Sequence, residues 1–155
     1  MHTAEIRGRV RASSAEDVFD TIADFERYTE YGQSIRNVKV EKSEGGRVIS
    51  KWDVDFRGGN MQWTEADTID KDKMRIDFEQ LEGTLRHFTG YWAVERDGDD
   101  ALIHFFGQFE LGMPTLASFI EPIAESAIRE NLIAVLHGVF GDQFELESSA
   151  ASASA

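Results

Sequence analysis

The chain has 155 residues with 29 acidic against 16 basic side chains, and its formal net charge of −13 repels a phosphate backbone and argues against nucleic acid as a partner. The absence of cysteine removes disulfides, thiolate nucleophiles and cysteine metal sites. The length suits one domain that buries roughly 70% of the surface of its unfolded chain, and no stretch approaches the ~18 apolar residues of a membrane span, so a cytoplasmic protein without a membrane span is expected.

Residues 4–12 alternate Ile6, Gly8 and Val10 with Arg7, Arg9 and Arg11, the period of a strand with one wet face. Ser13 and Ser14 then offer helix caps, and Glu16 and Asp17 place acids in the first turn. Val18, Phe19, Ile22 and Phe25 follow at helical spacing, and Tyr28 and Tyr31 belong to a second short helix. Six strands are predicted next, at 36–43, 47–57, 60–70, 73–82, 84–96 and 101–111, with Gly- and Asp-rich turns between several of them. Their order implies an antiparallel meander. From Thr115 to Gly141 the period becomes helical, and a helix of that length spans about 40 Å, enough to cross a sheet. Pro122 is expected to kink it or to mark a restart. The predicted class is α+β: a curved antiparallel sheet of about seven strands around a long C-terminal helix, with two short helices after the first strand. The domain is predicted over 1–142, and 143–155, which ends in small and polar residues, as a disordered tail.

Two central strands depart from a plain core pattern. Met61, Trp63, Glu65, Asp67 and Ile69 share one face, so two carboxylates interrupt an apolar row. Arg86, Phe88, Gly90 and Trp92 share a face of another strand. On one wall facing the terminal helix, these residues would line a pocket together with Phe78 and Trp52. At the ~3.3 Å rise of a strand the two carboxyls are expected roughly 6–7 Å apart, where burial raises one pKa and suits it to general acid or base work. The alternative is a structural ion cluster in which both acids pair with Arg86. The aromatic residues are either core or ligand contacts, Gly90 marks either a bulge or room for a ligand, and Asn131 interrupts the apolar stripe of the helix. His87, His104 and His137 have no ligand spacing, so no metal and no cofactor is expected.

The order of elements, Asp24-Phe25-Glu26-Arg27-Tyr28, Trp63-Thr64-Glu65-Ala66-Asp67, Glu82-Gly83 followed by Gly90-Tyr91-Trp92, and Phe109-Glu110-Leu111 resemble the START-like helix-grip superfamily over residues 4–142, more narrowly its polyketide cyclase/dehydrase branch. In the aromatase/cyclases of that branch a carrier-bound poly-β-ketone enters between sheet and terminal helix, and aromatic residues with an arginine orient its folding. The resemblance places Tyr28, Trp63, Phe88 and Trp92 at pocket positions. It also places the family's arginine at Asp67 and a neighbouring serine at Glu65. It implies a cofactor-independent polyketide cyclase/aromatase or dehydratase. Glu65, Asp67 and Arg86 would be catalytic, and Tyr28, Trp63, Phe78, Phe88, Trp92 and Asn131 would bind substrate. The alternative is a non-enzymatic carrier of a hydrophobic ligand such as a quinone or lipid. An acidic acyl carrier protein, the implied macromolecular partner, would need a basic patch, for which Arg7-Arg9-Arg11 or Arg27 and Arg36 are the candidates.

Overall fold

Alternating burial along β1 (His2–Val10), with Ala4, Ile6 and Val10 inside and Glu5 and Arg7 outside, follows directly from the sequence period. The computed structural model describes residues 2–32, 34–42, 45–56, 59–83, 85–110 and 114–147, and in the long helix it describes side chains at 126 and from 128 onward. Ser14 caps α1 (Ala15–Ala23): its hydroxyl accepts from the Asp17 amide at 3.1 Å, and Glu16 and Asp17 sit at the positive end of the helix dipole. A 3-10 turn, Phe25–Glu30, follows and buries Phe25 and Tyr28.

Strands β2 (Ile35–Lys42), β3 (Arg47–Phe56), β4 (Gly59–Asp70), β5 (Arg75–Gly83), β6 (His87–Asp97) and β7 (Asp100–Glu110) form the expected meander. The sheet order is β2-β3-β4-β5-β6-β7-β1-β8, and every pairing is antiparallel. The eighth strand, β8 (Phe144–Leu146), lies in the stretch predicted as tail. It pairs with β1 because Gly8 leaves a gap in that strand, which the buried Phe144 ring fills. The fold therefore runs to Glu147 instead of ending at 142. Residues 148–155 lie outside the described residues.

Helix α2 (Pro114–Phe140) continues as one element through Pro122, so there is no restart. It packs on β1, β3 and β8. Its C-terminal half is held close by Gly138, where a Cβ would lie 3.1 Å from the Tyr31 carbonyl carbon and nearer still to its oxygen. Val135 and Leu136 are buried on this side, next to a core that includes Phe19, Ile6 and Phe109. The result is a helix-grip fold, with one face of the curved sheet covered by the long helix α2 together with α1 and the 3-10 turn.

Candidate active site

Between sheet and helix lies a cavity of about 80 Å³. Phe25 and Tyr28 reach it from the 3-10 turn, Trp52 from β3, Trp63, Glu65 and Asp67 from β4, Phe78 from β5, Phe88 and Trp92 from β6, and Asn131 from α2. All six residues expected to bind substrate therefore line one cavity. The rings form a continuous set of contacts: Trp52 and Trp63 stack at 5.8 Å with 4° between their planes, Trp63 meets Phe88 edge-on at 6.0 Å, and Phe88 meets Phe78 at 5.1 Å.

Gly90 does not leave room for a ligand. It faces Gly107 across the β6–β7 ladder, and an added Cβ would lie 2.8 Å from both the Gly107 Cα and the Phe78 ring, with the Phe106 carbonyl closer still. The space beside Gly90 is already taken by Phe78 and by the neighbouring strand.

Glu65 and Asp67 are 6% and 0% exposed. They stand two apart on β4 and interact strongly enough that each shifts the proton affinity of the other. The ladder is uneven at this point. Thr64 pairs with Glu82 and Glu65 with Gln80, which leaves Leu81 as an extra residue in a bulge of β5. Trp63 Nε1 donates to Glu65 Oε1 at 2.7 Å, and Ser50 Oγ donates to Asp67 Oδ2 at 2.5 Å while accepting from Trp52 Nε1 at 2.8 Å. Asp67 Oδ1 is buried and receives no N–H or hydroxyl from the described residues. A proton held by Glu65 is the donor that can serve it.

Burial, the hydrogen bond with Asp67 and the Asp67 charge all push the Glu65 pKa well above the ordinary carboxylate range. Burial also raises Asp67, partly offset by the hydrogen bonds from Glu65 and Ser50. The pair is thus built to hold one proton between two acids. Its linkage to folding has a definite sign. The folded protein keeps protons that the unfolded chain releases above about pH 4. Stability from the pair is complete below that pH and is lost as pH rises through the elevated values. The unfolding free energy, measured by urea denaturation, should therefore fall with rising pH above about pH 4 more steeply in the native protein than in Glu65→Gln, a difference of about 1.4 kcal/mol for each tenfold difference in proton affinity. Equal slopes in the two proteins would contradict a buried shared proton.

Arg86 is not in this site. It precedes β6 in a bend, its side chain is 62% exposed, and its guanidinium meets Glu110 at 3.5 Å. The alternation of Phe88 and Trp92 does not extend back to it, because pairing in β6 begins at His87, opposite Glu110. The expected ion cluster of two acids with Arg86 is therefore absent. Ser50, which the sequence reading did not single out, is 0% exposed and holds Asp67 in its place. A lone hydroxyl between Val48 and Trp52 on an apolar row was the available signal. Tyr28 lines the cavity, but its hydroxyl donates to the Ile22 carbonyl at 2.5 Å and so is already engaged. Asn131 accepts a hydrogen bond from Ser34, which links the helix to the segment before β2.

The arginines considered for carrier docking are each matched by acids. Arg9 meets Asp97 at 2.8 Å and Asp100 at 2.9 Å, Arg7 meets Glu5, Arg11 meets Glu145, Arg27 meets Glu30, and Arg36 meets Asp55. They form no free basic patch. Among the described residues no group of three or more His, Asp or Glu side chains could hold a metal ion, and no helix is long and apolar enough to cross a membrane.

Comparison with known proteins supports this architecture. The fold is similar to TTHA0849 from Thermus thermophilus, with a TM-score of 0.81 and 21% identity over 89% of this chain and 94% of that one. It is also similar to the Zhui aromatase/cyclase from Streptomyces sp. R1128, with a TM-score of 0.78 and 20% identity over 97% and 98% of the two chains. A START superfamily protein from Mycobacterium smegmatis aligns with a TM-score of 0.75 and 18% identity over 90% and 97%. No curated protein sequence matches the chain. The sequence pattern of the family described as polyketide cyclase / dehydrase and lipid transport matches residues 12–136, and the chain belongs to that START-like family.

Proposed function

We propose that the protein is a cofactor-independent cyclase or dehydratase of a polycarbonyl, polyketide-type substrate. The observation that carries this reading is the buried Glu65–Asp67 pair at an aromatic-lined cavity. In an aldol closure a base removes a proton from a carbon between two carbonyls, the resulting enolate attacks a second carbonyl carbon, and an acid protonates the new alkoxide. Loss of water then repeats the exchange: a base takes another α-proton and the hydroxyl leaves with a proton as water. A pair sharing one proton has both forms present in one site, Glu65 as the acid and Asp67 as the base. Trp63 and Ser50 hold the two carboxyls in fixed orientations while the rings of Trp63, Phe88 and Trp92 position the chain.

A cavity of about 80 Å³ is well below the roughly 300–1,000 Å³ of sites that enclose drug-sized ligands. Substrate entry on this reading requires the wall between sheet and α2 to open. The direct test is incubation with a synthetic poly-β-ketone thioester and analysis for ring-closed, dehydrated products. Products that match spontaneous cyclisation in kind and rate would overturn the reading. The family description also includes lipid transport, which favours a carrier as the second reading. A carrier would return the bound molecule unchanged. On either reading Trp63→Ala should weaken binding of an aromatic ligand by about tenfold, since the ring gives up its stacking and edge contacts. Titration by fluorescence quenching checks this, and an unchanged affinity would remove Trp63 from the site.

A further inference from the structure

Two acids face the cavity, and no charge in its described lining opposes theirs. Its described lining contains Glu65 and Asp67 but no Lys, Arg or His. The arginine expected to join them is outside, paired with Glu110. Asp67 Oδ1 is fully buried and, among the described residues, unserved by any N–H or hydroxyl. An uncompensated buried carboxylate is costly, and a proton is one remedy. An ammonium group is the other, because it brings a positive charge and up to three N–H donors to the same oxygens.

The surroundings suit such a guest. The rings of Tyr28, Trp52, Trp63 and Phe88 line the same space, and aromatic rings attract cations through their electron-rich faces. The volume of about 80 Å³ is roughly half of what holds a benzene-sized guest, so it admits a headgroup and not a ring system. Ile128, Leu132 and Val135 of α2 add an apolar wall for the rest of the molecule. We propose that the cavity binds the protonated amine headgroup of an otherwise apolar molecule, with Glu65 and Asp67 as its counter-ions. The proposal rests on the reading of Glu65 and Asp67 as a proton-sharing pair and requires no turnover.

Binding should be linked to protons. The groups facing the pair are Tyr28 from the 3-10 turn, engaged with Ile22, Ser50 from β3, Trp63 from β4, Gln80 opposite Glu65 on β5 and Asn131 from α2, none of them charged, while the cavity lining from β6 and β7 is aromatic. Among the described residues the carboxyl pair is thus the group that gives up a proton as an ammonium arrives.

The test is isothermal titration with three six-carbon probes: hexylamine, 1-hexanol and hexanoate. At pH 8 hexylamine should bind about tenfold more tightly than 1-hexanol, and hexanoate more weakly than either. Heats measured at pH 5 in buffers of different ionisation enthalpy should show proton release with the amine only. The preference for the amine should shrink at pH 5, where a proton competes for the pair, while 1-hexanol binding stays constant, and this comparison needs no variant. In Glu65→Gln/Asp67→Asn the amine-to-alcohol ratio should fall to about one. Equal or tighter binding of 1-hexanol by the native protein would overturn the proposal. So would an amine preference that survives in the double variant, since it would then belong to the acidic surface. Amine binding without turnover of the poly-β-ketone thioester would keep this site and remove the cyclase reading, and turnover without amine preference would do the reverse.

Discussion

Asp67→Asn should lower turnover of a poly-β-ketone thioester by about 10²–10⁴-fold while leaving the affinity for unreactive aromatic analogues nearly intact. The amide preserves the size of the side chain and can still accept from Ser50 Oγ, which donates at 2.5 Å in the native protein, but it cannot take up a proton. Glu65→Gln should produce a loss of similar size by removing the acid. The two losses should not add, because either variant abolishes the single proton shared between the carboxyls. Turnover and binding measured side by side separate the two readings. A carrier has no reaction to lose, and its thermal stability should rise when one of two buried acids becomes an amide. Unchanged products together with higher stability in both variants would sink the catalytic assignment.

Gly90→Ala should cost about 3 kcal/mol or more and lower the melting temperature by about 10 °C. An alanine there would place its methyl 2.8 Å from the Gly107 Cα and the Phe78 ring, and against the Phe106 carbonyl, in the middle of the β6–β7 ladder. Side chains can change rotamer to relieve such crowding, but a carbonyl held in a ladder moves only with its strand. Phe78→Leu added to Gly90→Ala should therefore restore little, although it clears one of the contacts. Thermal unfolding of the single and double variants decides this, and a single variant melting within about 2 °C of the native protein would contradict this packing.

The elements of the fold were legible because their signals are local. The period of two in β1, β3 and β5, the glycines and acids at several turns, the Ser14 cap and the helical stripe of α2 each depend on residues close together in the chain. β8 was missed for the complementary reason. A three-residue strand carries no period, and its place depends on the gap at Gly8, at the other end of the chain. The parity of β4 also identified the carboxyl pair, since Glu65 and Asp67 stand on a row that is otherwise apolar.

Parity failed where the chain leaves the regular pleat. Arg86 counts onto the face of Phe88 only if the strand reaches back to it, and a bend before His87 turns it outward to Glu110. The bulge at Leu81 belongs to β5 and leaves no mark in the spacing of β4. Ser50 acquires its role from the β3–β4 register, which sets it opposite Glu65 and beside Asp67.

By itself the sequence determined the helix-grip order of elements, the aromatic character of the cavity and the presence of two acids on its wall, because alternation and helical period are properties of neighbouring residues. Tertiary structure alone decided that Ser50 holds Asp67, that Arg86 lies outside and meets Glu110, that Arg9 is matched by Asp97 and Asp100, and that Phe78 fills the space beside Gly90. Each of these is a contact between strands or across the sheet, and a side chain's charge partner and available space are set by its neighbours in space and not by its position along the chain.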